Sequence, residues 1–220
     1  MGLSVSASIG RSMAPQRSLS RDESKAITRR RLLDAAATLL AKTGYGKLSA
    51  SAIAREAEVA QPTFYVHFRD KDDLLRTLGE EQIGALRARL RAVRARIIEA
   101  HDLEAVRESF RVPLEVWLEH PALLRLYTQE LLQPKSPLGA LSRQLRGDLC
   151  RDLAEDLERF GLPAATKRER EQLAMIAEAI VAQTEALALG LVEKRFASLE
   201  SAVDVLTHFA TSALGLGGAR

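Results

Sequence analysis

The chain has 220 residues, of which 46% are hydrophobic and 28% are charged, and its formal net charge is +3. This length suits a small domain beside a larger one with a sizeable core, and so small a basic excess permits nucleic-acid binding without predicting it. A single cysteine, Cys150, excludes an internal disulfide. Because we expect no apolar run long enough for a membrane span or a signal peptide, a cytoplasmic protein is favoured.

The first predicted element is a long helix preceded by a polar tail. Residues 1–19 are rich in serine, and we expect them to be disordered. Ser20 and Glu23 have the spacing of a capping box, which predicts that the helix begins just after Ser20. Gly44 is expected to end it, as a glycine at the first position beyond a helix.

A short second helix and a tight turn are predicted next. Ser49 can cap this helix, and Ile53 and Ala57 lie one turn apart on its apolar face. So short a helix is not stable by itself, because few of its residues gain a hydrogen bond. The residues from Glu58 to Ala60 then form a turn, so the second helix must pack against a third.

The third helix should present polar side chains to solvent. Pro62 fits its first turn, and Phe64 and Phe68 are four residues apart and should both face inward. The side chains left to face outward or to flank the surface are Gln61, Thr63, Tyr65 and His67. Amide, hydroxyl and imidazole groups can read base edges or bind phosphate oxygens. We therefore predict a helix-turn-helix whose third helix enters a groove of DNA.

In one register from about residue 27 to residue 75, this region resembles the N-terminal domain of the TetR family of bacterial repressors. The residues that carry the resemblance are the helical run Leu32–Tyr45 and the stretch Gln61-Pro62-Thr63-Phe64-Tyr65-Val66-His67. The resemblance implies base contacts by Gln61, Pro62 and Thr63 and contacts to the DNA backbone by Tyr65, His67 and Lys71. Ser49 and Ser51 complete the set of expected DNA-binding residues.

Three positions depart from the pattern of the resembled family. Glu58 stands where the turn usually has glycine, Ala60 where serine or threonine is common, and Ser51 where arginine or lysine is common. If the backbone of Glu58 is left-handed, its side chain is disfavoured there. These departures leave open an alternative function, that of a helical dimeric interaction module that has lost specific DNA binding.

The remainder of the chain is predicted to be helical as well. A fourth helix should begin near Lys71 and run to about Ala100, with a possible break at Gly84. Its three arginines Arg87, Arg91 and Arg94 line one face, which we assign to a solvated surface in preference to an anion site. Asp102 and the Thr166–Glu169 capping box mark later helix starts. We predict an all-α protein of about nine helices, with a helix-turn-helix domain at 20–70 and an effector-binding and dimerisation domain at 71–220.

Apolar stripes on the last two helices suit helix-on-helix packing. They consist of Leu173, Ile176, Ile180, Thr184, Leu187 and Leu191, continued by Leu199, Val203, Leu206, Ala210 and Leu214. They either form an association surface or face the core of their own subunit. In the resembled family the last two helices form a four-helix dimer interface, which implies a homodimer on a palindromic operator.

A regulator of this kind also needs an effector site, and the sequence indicates it only weakly. The candidate is a mainly apolar cavity for a small hydrophobic or amphipathic molecule, lined by Phe110, Trp117, Tyr127, Gln129, Gln183 and Thr184. Drug-like, aromatic and acyl effectors all remain open.

Catalytic and metal-binding motifs are missing from the sequence. The four histidines are scattered without ligand spacing, and no G-x-S-x-G motif or glycine-rich phosphate loop occurs. We expect no enzyme, no cofactor and no membrane partner. The resemblance predicts a dimeric repressor that binds double-stranded DNA and is released by a small molecule.

Overall fold

The computed structural model describes residues 20–100, 102–133 and 135–213, and within these ranges the chain forms nine α-helices and no strand. They are α1 (Arg21–Thr43), α2 (Ala50–Glu56), α3 (Gln61–His67), α4 (Lys71–Ala100), α5 (Leu103–Glu119), α6 (Pro121–Leu131), α7 (Pro137–Arg159), α8 (Lys167–Val192) and α9 (Leu199–Ala213). The predicted all-α class is confirmed. The predicted tail at 1–19 and Leu214 lie outside the described residues.

Side-chain caps fix the starts of several helices where the sequence predicts them. The Ser20 hydroxyl accepts from the Glu23 N–H at 3.1 Å, and the Glu23 carboxylate accepts from the Ser20 N–H at 2.7 Å. The same reciprocal pair joins Thr166 and Glu169 at the start of α8, and Asp102 caps α5. These bonds satisfy N–H groups that have no partner within the helix.

Helix α4 runs without interruption for 30 residues, so the possible break at Gly84 is not found. Its early residues Leu74, Leu75 and Leu78 belong to one hydrophobic core, together with residues of α1, α2 and α3. Its later residues, from Ile83 to Val93, belong to a second core built with α5 to α9. α4 is therefore common to both cores.

Two arginines of α4 are held by aspartates of α7. Arg87 donates from Nε and Nη2 to the two carboxylate oxygens of Asp152, both at 2.7 Å, and lies 3.6 Å from Asp148. Arg94 reaches Asp156 at 3.4 Å. The assignment of the arginine stripe to a solvated surface was wrong for these two residues, because helical periodicity does not reveal a charged partner on another helix.

The apolar stripe predicted for the last two helices lies mostly in the core of its own subunit. Leu173, Leu191, Val203 and Leu206 are all buried without a partner chain. Large apolar side chains on a different face of α8 and α9 are exposed to solvent. The exposed fraction is 59% for Met175, 45% for Val205 and 57% for Phe209. Any association surface on these helices must therefore use that second face.

By length and composition alone, α8 could cross a membrane, since it contains an 18-residue window of mean hydropathy 1.6. The expectation that no apolar run is long enough was wrong on this measure. In the fold, however, α8 contacts α5, α6, α7 and α9. We attribute the apolar residues of α8 to the side of the helix that faces the core. Only 39% of the 18-residue apolar window is buried, however.

Candidate nucleic-acid interface and internal cavity

Two buried phenylalanines fix the orientation of α3. Phe64 is 0% and Phe68 2% exposed, as predicted, and their ring centroids are 5.9 Å apart. The guanidinium of Arg29 on α1 lies 4.4 Å from the centre of the Phe68 ring and donates to the carbonyl of His67 at 3.2 Å. Because the phenylalanines cannot turn outward without exposing large apolar surfaces, the opposite face of α3 is fixed in place.

That opposite face of α3, called the reading surface below, carries the residues predicted to contact DNA. Gln61, Pro62 and Tyr65 are exposed, whereas Thr63 and His67 are half-buried at its edges. Val66 is 69% exposed on the same helix and was not predicted. An exposed valine on a polar reading surface offers a methyl-sized apolar contact, which is how side chains recognise thymine. The pattern of polar residues alone could not reveal it.

His67 is placed to act as a neutral hydrogen-bonding group. Burial lowers the pKa of His67, and the nearby positive charges of Lys25 and Arg29 lower it further. At neutral pH the imidazole is therefore uncharged, and one ring nitrogen can donate while the other accepts. Its predicted contact with the DNA backbone would be a neutral hydrogen bond.

Lys71, at the start of α4, is tied to the 3₁₀ turn Tyr45–Lys47. Its ammonium lies 4.0 Å from the centre of the Tyr45 ring and 3.5 Å from the Tyr45 carbonyl oxygen. The Tyr45 hydroxyl donates to Asp72 at 2.9 Å. Burial and this carboxylate raise the pKa of Tyr45 to about 12, so the phenol remains protonated. Lys71 therefore stabilises the fold, in addition to its predicted contact with DNA.

The two serines of the predicted interface lie at the start of α2. The Ser49 hydroxyl accepts from the Ala52 N–H at 3.2 Å and lies 3.2 Å from the Ser51 hydroxyl. Both residues are exposed. Ser49 thus caps the helix, as predicted, and either hydroxyl can still donate to an acceptor in solvent.

Three cations near the reading surface form no ion pair with any residue that the structure describes. Among the described residues, no ion pair engages Lys25, Lys47 or Arg55, and all three are exposed. By contrast, Arg30, Arg31 and Lys42 are paired with carboxylates, including the pair Arg31–Glu58 at 3.3 Å. Unpaired surface cations suit phosphate contacts, which position a protein without reading sequence.

The turn between α2 and α3 holds Glu58 in a left-handed conformation, with φ 53°. The Val59 N–H donates to the Ala54 carbonyl and the Glu58 N–H to the Arg55 carbonyl, which is the hydrogen-bond pattern of a Schellman motif. The position next to the helix end in this motif favours glycine. The backbone condition on which the strain at Glu58 depends is therefore met.

A cavity within the helical bundle, partly open to solvent, lies between α4, α5, α7, α8 and α9, with a volume of about 100 Å³. Three of the predicted effector residues line it, namely Phe110, Trp117 and Thr184. Tyr127 lies outside the lining, stacked on Trp117 with ring centroids 5.3 Å apart. Gln129 and Gln183 are exposed and lie outside the lining, because they occupy the outer faces of α6 and α8.

Charged groups in the cavity wall were missed by the sequence interpretation. They are Arg94 and Asp156, and Glu185, next to Thr184 on α8, also lies in the wall. Glu185 accepts from the Tyr127 hydroxyl at 2.7 Å and lies 3.3 Å from Arg146, while burial raises its pKa. Burial likewise lowers the pKa of Arg94. Arg94 was assigned to a solvated stripe of arginines, and only the three-dimensional packing brings it beside Asp156.

This region has the features of a helix-turn-helix DNA-binding domain: two buried phenylalanines fix α3, its polar face points to solvent, and exposed cations surround it. Residues 32–78 match the family model described as bacterial regulatory proteins, tetR family. The N-terminal part of the chain therefore carries a DNA-binding domain of the tetR type.

Solved structures share the fold over almost the whole chain. A putative TetR-family regulator from Syntrophomonas wolfei has a TM-score of 0.69 at 21% identity, covering 86% of this chain and 95% of that one. A TetR-like regulator from Rhodococcus sp. RHA1 has a TM-score of 0.62 at 25% identity, covering 92% and 100%. FadR from Thermus thermophilus, a TetR-family repressor solved with lauroyl-CoA, has a TM-score of 0.60 at 22% identity, covering 87% and 95%.

Replacing Gln61 with alanine should cost about 1–3 kcal/mol of binding to the specific operator and relax the preference at one base position. The exposed amide at the start of α3 has no structural role that this change would remove. Competition binding against operators with single base changes measures both effects. Gln144→Ala, at an exposed position on α7, is the matched control and should leave binding unchanged.

A variant at Lys71 separates base reading from backbone binding. Lys71→Ala should weaken all sequences alike and reduce the salt dependence of binding. Because Lys71 also packs on Tyr45, its melting temperature must be compared with that of the parent. Unchanged discrimination between operators by Gln61→Ala would contradict the assigned base contact.

Glu58→Gly should stabilise the fold and strengthen DNA binding. Relief of the left-handed conformation is worth roughly 1–2 kcal/mol, offset by about 0.4–1 kcal/mol from the greater freedom of glycine in the unfolded chain. Loss of the carboxylate removes repulsion from phosphate and releases Arg31, so the affinity gain should shrink at high salt. Denaturant melts and a salt titration of binding measure the two effects.

Lys194→Gly is a control for the strain at Glu58. Lys194 has φ 59° and ends α8 in the same hydrogen-bond pattern. It should therefore gain similar stability while leaving DNA affinity unaltered. If Glu58→Gly shows no affinity gain at any salt concentration, the electrostatic role of Glu58 is wrong.

Proposed function

We propose that this protein is a transcriptional repressor that occupies a palindromic operator as a homodimer and leaves it when a small molecule enters the internal cavity. The observation that carries the proposal is the fixed outward face of α3. Its polar residues are held toward solvent by the burial of Phe64 and Phe68. These side chains form hydrogen bonds and carry no negative charge, so they suit the base edges of a major groove that is flanked by negatively charged phosphates.

Roles in DNA contact are assigned by position. Gln61, Pro62 and Thr63, at the start of α3, would meet base edges, and Val66 would meet a thymine methyl. Tyr65, His67 and Lys71 would bind backbone phosphates, joined by Ser49 and Ser51 on α2. Phosphate contacts fix the register of the protein, whereas the base contacts determine sequence preference.

Homodimerisation is assigned to the exposed face of α8 and α9. Met175, Val205 and Phe209 lie on this face, and small alanines such as Ala179 and Ala186 between them allow close helix approach. Exposed apolar groups of this size that recur on one side of a subunit favour an interface. A two-fold dimer would present two copies of α3 to successive turns of the major groove.

The cavity is the proposed effector site. Its volume of about 100 Å³ is below the roughly 300–1,000 Å³ of ordinary ligand pockets, so a bound effector must separate the helices around it. One of those helices is α4, which also packs against α1 in the DNA-binding region. Movement of α4 would change the spacing of the two reading surfaces and lower operator affinity. We place the protein in the cytoplasm, where its DNA is, without a cofactor or a membrane partner.

Selection from a randomised duplex library tests this function directly. The full-length protein should enrich palindromic sites whose half-sites are separated by about 10 bp or a multiple of it. Transcription in vitro from a promoter overlapping such a site should fall when the protein is added. Failure to enrich any sequence over nonspecific duplex would instead favour the dimeric interaction module without specific DNA binding.

Phe209→Asp should disrupt the dimer and reduce operator binding together, because it places an unpaired charge in a dry contact. Leu132→Asp is the control, since Leu132 is 81% exposed but follows directly after α6, away from the proposed interface on α8 and α9. Sedimentation velocity at micromolar concentration measures the change. A monomeric parent protein, or a Phe209→Asp protein that remains dimeric, would contradict the assignment. Leu206 is unsuitable for this test because it is only 2% exposed within the subunit.

A further inference from the structure

The cavity is elongated along the helices that enclose it. Its lining extends along α4 from Leu86 to Ile98, and along α7 from Leu149 to Leu157 and on to Phe160 just beyond the helix. At the rise of an α-helix, the α4 portion alone spans about 18 Å. Apart from a few polar groups, the walls are leucine, isoleucine, valine and aromatic side chains. A narrow apolar chain suits this shape better than a compact polycyclic molecule.

Arg94 is the one basic residue among those lining the cavity. Its side chain is only 12% exposed, and its contact with Asp156, at 3.4 Å, is long for a charge-assisted hydrogen bond. A guanidinium has five N–H donors, and a single hydrogen bond of this side chain is found among the described residues. Arg87, which lies outside the cavity lining, is by contrast bound through two short hydrogen bonds. Arg94 therefore retains donors for a further acceptor.

Asp156 already has a second cationic partner. Its other carboxylate oxygen accepts from Arg159 at 3.2 Å, and the Arg159 side chain is 62% exposed. If an incoming anion took the place of Asp156 on Arg94, Asp156 would keep Arg159. Every charge would then still be paired, so the exchange would strand no buried ion.

The third charged residue of the lining does not favour a cationic ligand. One oxygen of Glu185 accepts from the Tyr127 hydroxyl, and the other forms an ion pair with Arg146 Nε at 3.3 Å without a hydrogen bond. No carboxylate of the cavity lining is therefore without a partner in the described part of the chain. The cavity therefore favours an anionic ligand, because Arg94 has N–H donors available and the carboxylates of the lining already have partners.

We propose that the effector is a long-chain carboxylate whose apolar chain lies in the cavity and whose carboxylate replaces Asp156 on Arg94. This inference rests on the proposed role of the cavity as the effector site. It differs from the ligand of the Thermus relative, a CoA thioester, because a thioester has no carboxylate and carries a bulky nucleotide. Breaking the Arg94–Asp156 contact would also remove one of the ties between α4 and α7.

Binding can be followed through Trp117, which is the only tryptophan of the chain and lines the cavity. Dodecanoic acid, methyl dodecanoate and dodecanoyl-CoA are titrated into the full-length protein. The acid should bind at least about tenfold more tightly than the ester, since it gains a hydrogen bond to a charged group. Equal affinity of acid and ester, or binding of the CoA thioester alone, would overturn the inference.

Two variants test the role of Arg94 itself. Arg94→Met should bind acid and ester equally, whereas Asp156→Asn, which removes the resident competitor, should bind the acid more tightly than the parent does. Arg91→Met, on the same helix but exposed and outside the lining, is the matched control and should keep the preference. Circular dichroism melts confirm that each variant is folded, and Arg94→Met carries the test alone if Asp156→Asn does not fold.

A preference for the acid that survives in Arg94→Met would contradict the inference. Duplex selection by the ligand-free protein does not depend on any of these titrations. Failure of the proposed DNA function would therefore appear in that selection, and failure of the ligand class would appear here.

Discussion

The continuity of α4 is the constraint on which the rest of the structure depends. Thirty residues of unbroken helix extend about 45 Å, from the hydrophobic core beneath the reading surface to the wall of the internal cavity. Leu74, Leu75 and Leu78 hold its first turns in the core that also buries Phe64 and Phe68. Leu86 and Leu90 line the cavity farther along. Because α4 is packed both in the core under the reading surface and in the cavity wall, it cannot shift at one end without changing contacts at the other. Close-packed protein interiors have low compressibility, so they do not absorb such a shift.

The ion pairs between α4 and α7 divide this helix into a firmly held part and a loosely held part. Arg87 and Asp152 form two short hydrogen bonds, and that bonding raises the pKa of Arg87 and lowers the pKa of Asp152. The distance between Arg94 and Asp156 is longer, and both side chains are more deeply buried. The cost of removing these charges from water therefore offsets more of their Coulomb attraction. The weaker pair is the one that faces the cavity. Ligand binding can therefore alter it while the stronger pair keeps α7 beside α4.

Local chemistry made much of the fold predictable from the sequence. The capping residues Ser20, Asp102 and Thr166 form hydrogen bonds with nearby N–H groups whatever the distant chain does, so the starts of their helices followed directly. The burial of Phe64 and Phe68 followed from their spacing of one helical turn. The family pattern, in which glycine is usual, raised a left-handed backbone at Glu58 as a condition, and the structure meets it through the hydrogen bonds of the turn.

Long-range packing accounts for what the sequence did not predict. Periodicity identified apolar faces on α8 and α9, but it could not tell whether Leu206 meets its own subunit or a partner. Gln129 and Gln183 were chosen as polar residues near apolar ones, and the rotation of their helices puts both in solvent. Arg94 read as a surface charge until Asp156 of a helix some 60 residues away was placed beside it. Val66 is exposed because Phe64 and Phe68 already fill the core-facing side of α3.

The reciprocity of DNA and ligand binding tests the coupling between reading surface and cavity most directly. The affinity of a ligand detected through Trp117 is measured with the free protein and with the protein saturated by its selected operator duplex. The duplex should lower the affinity of the protein for the ligand by the same factor by which saturating ligand lowers its affinity for the duplex. Thermodynamic linkage requires this equality when the two sites favour different positions of α4. Equal ligand affinity in the presence and absence of operator would mean that the cavity and the reading surface are independent.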